Sequence, residues 1–295
     1  MRDTGTTDSH KPAESRLKVG VVIGGGGLKS LAAIPLFKLL RDARIEVDLL
    51  VGCSGGGIMA TAWGAGYEPE QMRALITEHL NKKLFRHIDY RSIMGIAKLP
   101  FGRFDKSSGV LKASPFRRMY QRIYGDLRLE QLHPETILQA TDFQTGDGVI
   151  LSTGLVADAV YASGALFPIL PPICIDGRWY IDGAFSSNVP VMEAVKRNMD
   201  VIIAVVLQEQ LEQDPQGFIN CYYTVQKTWV RALTRSQLSL SVDLHHHEIV
   251  IIHVPFDKYI QVWDVDDVPS ILEAGQRVVG EMKDEILSAM ESSPV

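Results

Sequence analysis

Apolar positions along the chain fall into two patterns. Short runs without polar alternation occur at 17–23, 47–51 and 200–207, and each reads as a β-strand covered on both faces, as in a parallel sheet between helices. Apolar residues that return every three or four positions predict helices over 31–40, from residue 54 onward, and over 156–166, 191–198, 222–240 and 270–290. Two strands are expected within 134–152, joined at Thr145-Gly146-Asp147-Gly148. A hairpin over 173–181 turns through Asp176-Gly177, a pair suited to a primed two-residue turn. A last strand is expected over 248–254. Apolar strands separated by a crossover of helical length are parallel neighbours joined right-handed, so the expected fold class is α/β.

Composition narrows this picture. The chain has 295 residues and no linker-like stretch, so one large domain is expected over 17–295. Residues 1–16 are polar, lack the apolar core of a signal peptide, and are expected to form a disordered tail. No apolar run approaches the roughly 20 residues of a membrane-spanning helix, and a cytoplasmic location is expected. Cys53, Cys174 and Cys221 are odd in number and far apart, which suggests reduced thiols rather than disulfides or a metal site. The net charge of −5 argues against general nucleic-acid binding.

Charge is distributed unevenly. Residues 82–122 carry 11 Lys and Arg against 2 Asp, interleaved with Leu84, Phe85, Ile88, Tyr90, Ile93, Met94, Ile96, Leu99, Phe101 and Phe104. Such a segment is either an insertion or lid with a solvated basic side and a buried apolar side, which is slightly favoured, or a peripheral contact with an anionic membrane surface. His245, His246 and His247 adjoin the last strand. Adjacent strand residues point to alternate faces, so the three cannot share one metal ion, and a surface edge is the better reading.

Candidate chemistry begins at Gly52-Cys53-Ser54-Gly55-Gly56, where an apolar strand meets a helix. The spacing G-x-S-x-G is that of a nucleophile elbow, in which Gly52 and Gly56 allow a reversal too tight for side chains beside the serine. Ser54 would then sit at a helix N-terminus, whose unpaired N–H groups favour negative charge. The first strand runs into Gly24-Gly25-Gly26-Gly27-Leu28-Lys29-Ser30. A P-loop would need glycine where Leu28 stands, and a dinucleotide fingerprint would need it at Ser30. The remaining use is an oxyanion hole, favoured because the next strand delivers a serine beside it. A carboxylate at Asp182 follows the apolar hairpin strand and precedes Asn188-Val189-Pro190, a segment able to fix the bend that holds it. Asp142, on an earlier strand, reads as structural.

With Gly24 to Lys29, Gly52 to Gly56 and Asp182-Gly183-Ala184 in this order, the chain resembles the patatin-like phospholipase family over roughly residues 17–207. The resemblance implies a three-layer α/β/α fold on a mixed, largely parallel sheet, with a Ser-Asp dyad and neither metal nor cofactor. It assigns Ser54 as nucleophile, Asp182 as base, and Gly25, Gly26 and Gly27 as oxyanion donors. Gly52, Gly56, Gly183, Asn188 and Lys29 would support them. Lys29 stands where arginine is more usual and Ser30 where glycine is, so charge is kept while planar bidentate contact is lost. The implied activity is hydrolysis of phospholipid, lysophospholipid or related lipid esters through an acyl-enzyme. Two alternatives stay open: a Ser-His-Asp esterase or thioesterase using His253 or one of His245 to His247, and a non-catalytic lipid-surface regulatory module.

Overall fold

The computed structural model describes residues 16–80, 82–208, 210–244, 248–260 and 264–291. Strand β1 (Val19–Ile23) leads through the glycine loop and a tight 3-10 turn at Gly27–Ala33 into α1 (Ile34–Asp42), followed by β2 (Leu49–Cys53) and α2 (Gly55–Gly64). Helices α3 (Pro69–His79), α4 (Tyr90–Ile96) and α5 (Ala113–Tyr124) precede β3 (Glu135–Asp142) and β4 (Gly148–Leu151). Then come α6 (Val156–Ser163), the hairpin β5 (Ile173–Ile175) and β6 (Arg178–Asp182), and α7 (Val191–Lys196). The chain continues through β7 (Val201–Gln208), α8 (Gly217–Leu244), β8 (Glu248–Pro255), α9 (Val268–Glu281) and α10 (Lys283–Ala289).

The eight strands among the described residues form one sheet in the order β5-β6-β3-β2-β1-β7-β8, with β4 also paired to β3. The run from β3 to β8 is parallel, while β4, β5 and β6 join antiparallel. Alternate residues of the central strands enter opposite cores, which explains why these strands are apolar along their length. Val21, Ile23, Leu50, Leu138 and Ile203 pack with α1, α2, α5, α6 and α9. Val22, Val51, Ile137 and Ile202 pack with Val191 and Ala194 of α7 and Leu238 of α8. The result is the expected three-layer arrangement.

Several sequence-based boundaries shift. Pro35 lacks an N–H and fits only the first turn of an α-helix, so the helix expected over 31–40 starts at Ile34 and the preceding turn winds tighter. The closing helix is two helices that meet at Met282. Helix α8 runs well beyond both ends of 222–240. Arg16, counted with the tail, is ion-paired to Asp48 at 2.6 Å and Glu46 at 3.0 Å. The rest of the tail lies outside the described residues, as do His245, His246 and His247.

Candidate active site

The carboxyl ends of β1 and β2 lie side by side, Ile23 opposite Gly52, so the glycine loop and the elbow share one edge of the sheet. A β-carbon on Gly56 would stand 2.2 Å from the Ile23 carbonyl oxygen, and one on Gly52 would stand 2.6 Å from Gly57 Cα. Neither position accepts a side chain. Ser54 itself is held at φ 51°, ψ −122°, a strained conformation costing roughly 1–3 kcal/mol that persists only where its surroundings impose it.

Part of that imposition comes from Ser163, which is fully buried at the end of α6. The Ser54 N–H donates to Ser163 Oγ at 2.9 Å, and the Ser163 hydroxyl donates to the Gln139 carbonyl at 2.7 Å. The signal available in the sequence for Ser163 was a lone hydroxyl among the small residues Ala162, Gly164 and Ala165. Ser163→Ala strands a donor and an acceptor, so a loss of about 1–3 kcal/mol is expected in denaturant unfolding. A slower reaction of Ser54 with a fluorophosphonate should accompany it, because the elbow loses its anchor.

Asp182 reaches the serine from an unrelated element. Its register partner across β6 and β3 is Ala140, while Cys53 on the other side of β3 pairs with Gln139. Ser54 and Asp182 therefore approach the same level of β3 from opposite sides, with two strand spacings, about 10 Å, between their backbones. Their side chains close that gap, and Ser54 Oγ donates to Asp182 Oδ2 at 2.7 Å. Asp182 Oδ1 accepts the Ala184 N–H at 2.9 Å. The Thr141 hydroxyl donates to the Asp182 carbonyl and fixes the backbone beneath. The carboxyl is only 2% exposed, and burial pushes its pKa up from 3.8 to about 6 against the opposing Ala184 and Ser54 hydrogen bonds.

The glycine loop faces this pair. A β-carbon on Gly25 would stand 3.2 Å from Ser54 Cβ and 2.5 Å from Asn188 Oδ1. Gly25 donates its own N–H to the Asn188 carbonyl at 3.0 Å, so Asn188 fixes the loop, and Gly26 and Gly27 are left as the loop's amide donors. Gly183 packs against the Gln139 carbonyl behind the site. Lys29 is buried, and its ammonium donates to the Ile260 carbonyl at 3.3 Å. The Ser30 hydroxyl is buried with no hydrogen-bond partner among the described residues.

Ser54, Asp182, Gly25, Gly26, Gly27, Lys29 and Asn188 all border one cavity of about 530 Å³. One wall is apolar, built from Ile58 of α2, Phe116 and Tyr120 of α5, and Leu166, Ile169 and Leu170. Helix α8, which crosses the carboxyl edge of the sheet, also borders the cavity. Tyr222 bonds the Phe167 carbonyl at one end of the crossing, and Gln237 bonds the Ser186 carbonyl near the other. His253 borders the same cavity on β8, with its Nδ1 3.1 Å from Gln208 Nε2. It lies three strands from β2, a separation of about 14 Å that puts it out of hydrogen-bond reach of Ser54. Asp142 caps a turn by accepting the Gln144 and Thr145 N–H groups, in keeping with a structural role.

Known proteins resemble this chain in sequence and in fold. The family model described as patatin-like phospholipase matches residues 21–195. Lysophospholipase NTE1 of Phaeosphaeria nodorum is 28% identical over 203 residues, covering 68% of this chain and 13% of that protein. Lysophospholipase nte1 of Aspergillus oryzae is 26% identical over 225 residues, covering 72% and 13%. The chain thus spans about an eighth of the length of these curated relatives. Among solved structures, VipD from Legionella pneumophila superposes with a TM-score of 0.53 at 13% identity, over 92% of this chain and 67% of that one, a likeness of fold. A match across more than half its length, together with the three-layer fold, places this chain in the patatin-like phospholipase family.

Proposed function

We propose that this protein is a serine acyl hydrolase that cleaves lipid esters, lysophospholipids among them, with a Ser54–Asp182 dyad. The observation that carries the reading is the 2.7 Å contact between an elbow serine and a buried carboxylate whose proton affinity burial has raised. A serine hydroxyl needs a neighbouring base to become nucleophilic. Ser54 Oγ attacks the ester carbonyl carbon as its proton passes to Asp182 Oδ2, and the Gly26 and Gly27 amides receive the oxyanion. Collapse breaks the bond to the alcohol, which leaves with the proton from Asp182. Water then attacks the acyl-enzyme as it gives one proton to Asp182, and collapse releases the carboxylic acid while Ser54 Oγ takes that proton back from Asp182, which restores both groups. The names of the fungal relatives and the apolar wall beside Ser54 support a single-chain lipid as substrate. The test is reaction of the intact protein with a fluorophosphonate and mapping of the adduct by mass spectrometry. Modification at Ser54 is the expected result, and an unmodified Ser54 would refute the reading.

The 82–122 segment is read as a peripheral membrane contact. Its early apolar residues Leu84, Phe85 and Ile88 pack on the core, whereas Tyr90, Ile93, Ile96, Leu99 and Phe101 are exposed, Phe101 at 91%. Arg91, Lys98, Arg103 and Lys106 lie among them. The outer side of α8 adds Phe218, Val225, Trp229 and Leu240, all exposed, which fall within about 60° of one another around the helix. The two elements meet at Phe167, which packs near Phe104 and whose carbonyl accepts from Tyr222. No helix among the described residues is long and apolar enough to cross a membrane. Binding to anionic vesicles that weakens with added salt is expected in sedimentation, and Phe101→Asp should reduce it on the order of tenfold. Equal sedimentation of the variant would remove this segment from the contact.

A further inference from the structure

Helix α8 lines the cavity with a set of polar and cationic residues. Lys227, Arg231 and Arg235 recur every four residues along the stripe that borders the cavity, with Gln226, Val230 and Thr234 beside them. They follow one another at about 6 Å along the helix. Gln226 and Thr234 are buried, and the Lys227 ammonium sits 4.4 Å from the centre of the Tyr259 ring. Buried Lys29 borders the same cavity from the turn after β1. Among the described residues that border it, Asp182 is the one carboxylate against four Lys and Arg, in a chain whose net charge is −5. Like charges at four-residue spacing on one helix face repel each other, and Arg231 and Arg235 border the cavity while staying open to solvent. Cations concentrated on one wall of a cavity whose other wall is apolar fit an amphiphile with an anionic head.

Resting on the hydrolase reading above, we infer that Arg231 and Arg235, with Lys227, form a subsite for the phosphate of a single-chain phospholipid whose acyl chain lies along Phe116, Tyr120 and Ile169. In such a lipid the phosphate sits three carbons beyond the ester oxygen, so a chain seated on the apolar wall with its carbonyl at Ser54 directs the phosphate away from that wall, towards α8. Guanidinium groups suit this partner because they bind phosphate oxygens in bidentate fashion.

The test has a catalytic arm and a binding arm. In the first, kcat/KM is measured for 1-lauroyl lysophosphatidylglycerol and for 1-lauroylglycerol, which share a chain and an ester but differ in the phosphate. The double variant Arg231→Gln/Arg235→Gln should lower the ratio of the two values by tenfold or more, and Arg231→Lys/Arg235→Lys should recover part of it. In the second, dodecyl phosphate and dodecyl maltoside are titrated into Ser54→Ala protein below their micelle thresholds, with and without the arginine substitutions. Dodecyl phosphate affinity should fall by tenfold or more, well beyond any change for the maltoside. An unmoved ratio, or equal losses for the two amphiphiles, would overturn the subsite. So would displacement of dodecyl phosphate by inorganic phosphate at equal concentration, which marks a free-anion site. Because the binding arm needs no turnover, failure of the hydrolase reading, seen as an unmodified Ser54, is distinguishable from failure of the subsite.

Discussion

Ser54→Ala is expected to lower turnover of a medium-chain ester on the order of 10⁴-fold or more, the scale seen when a nucleophile that works as a unit with its base is removed. Fluorophosphonate modification should vanish with it. The substitution also changes stability in a definite direction. Asp182 would lose the hydroxyl donor at 2.7 Å and retain the Ala184 N–H. A buried carboxylate that loses a hydrogen bond is costlier to ionise, so its pKa should rise above the present value of about 6. At pH 7 a loss of about 1–3 kcal/mol in chemical denaturation is expected. A variant that kept a tenth of the activity would place the nucleophile elsewhere.

Asp182→Asn should abolish turnover to a similar degree yet move stability the other way. An amide cannot take the serine proton, but it is neutral and can still accept the Ala184 N–H. The native carboxyl binds its proton more tightly folded than unfolded, with a pKa of about 6 against 3.8. Its contribution to stability is therefore fully present below pH 3.8 and is lost as pH rises through 6. A shift of that size corresponds to about 3 kcal/mol. The variant should gain on the native protein by up to that amount as pH rises from 4 to 6, with a constant difference above. Thermal unfolding at pH 4.5 and 7.5 separates this from a general change in packing. The same ionisation governs the native rate: kcat/KM should rise about tenfold per pH unit below 6 and level off above it, since the base must be ionised to act. A flat profile through pH 6, or an active Asp182→Asn enzyme, would refute the dyad.

Much of this site was legible in the residues because local rules reach it. An apolar run, two glycines and one serine are enough to specify a strand, a tight reversal and an exposed hydroxyl, since the constraint acts within five positions. The pairing of β1 with β2 followed from the crossover of helical length between them, and it brought the glycine loop to Ser54. Asp182 was harder. It ends an antiparallel strand two places across the sheet from β2, and strand order among distant segments leaves no trace in spacing. That the Gly25 amide is already engaged was equally hidden, because its acceptor is 163 positions away at Asn188. In 82–122 the interleaving of charge and apolar residues could not separate Phe85, which packs on the core, from Phe101, which does not.

By itself the sequence determined which chemistry was within reach: a serine at a reversal, glycines that leave amides open, apolar strands that demand cover on both sides, and one carboxylate after a hairpin. These are local matters of sterics and burial, decided by neighbours along the chain. Only the tertiary structure decided that Ser54 and Asp182 touch, that the carboxylate is dry enough to hold a proton near pH 6, and that the cations of α8 border the same cavity. Each of those depends on which surfaces exclude water together, and desolvation is a property of the assembled layers rather than of any one segment.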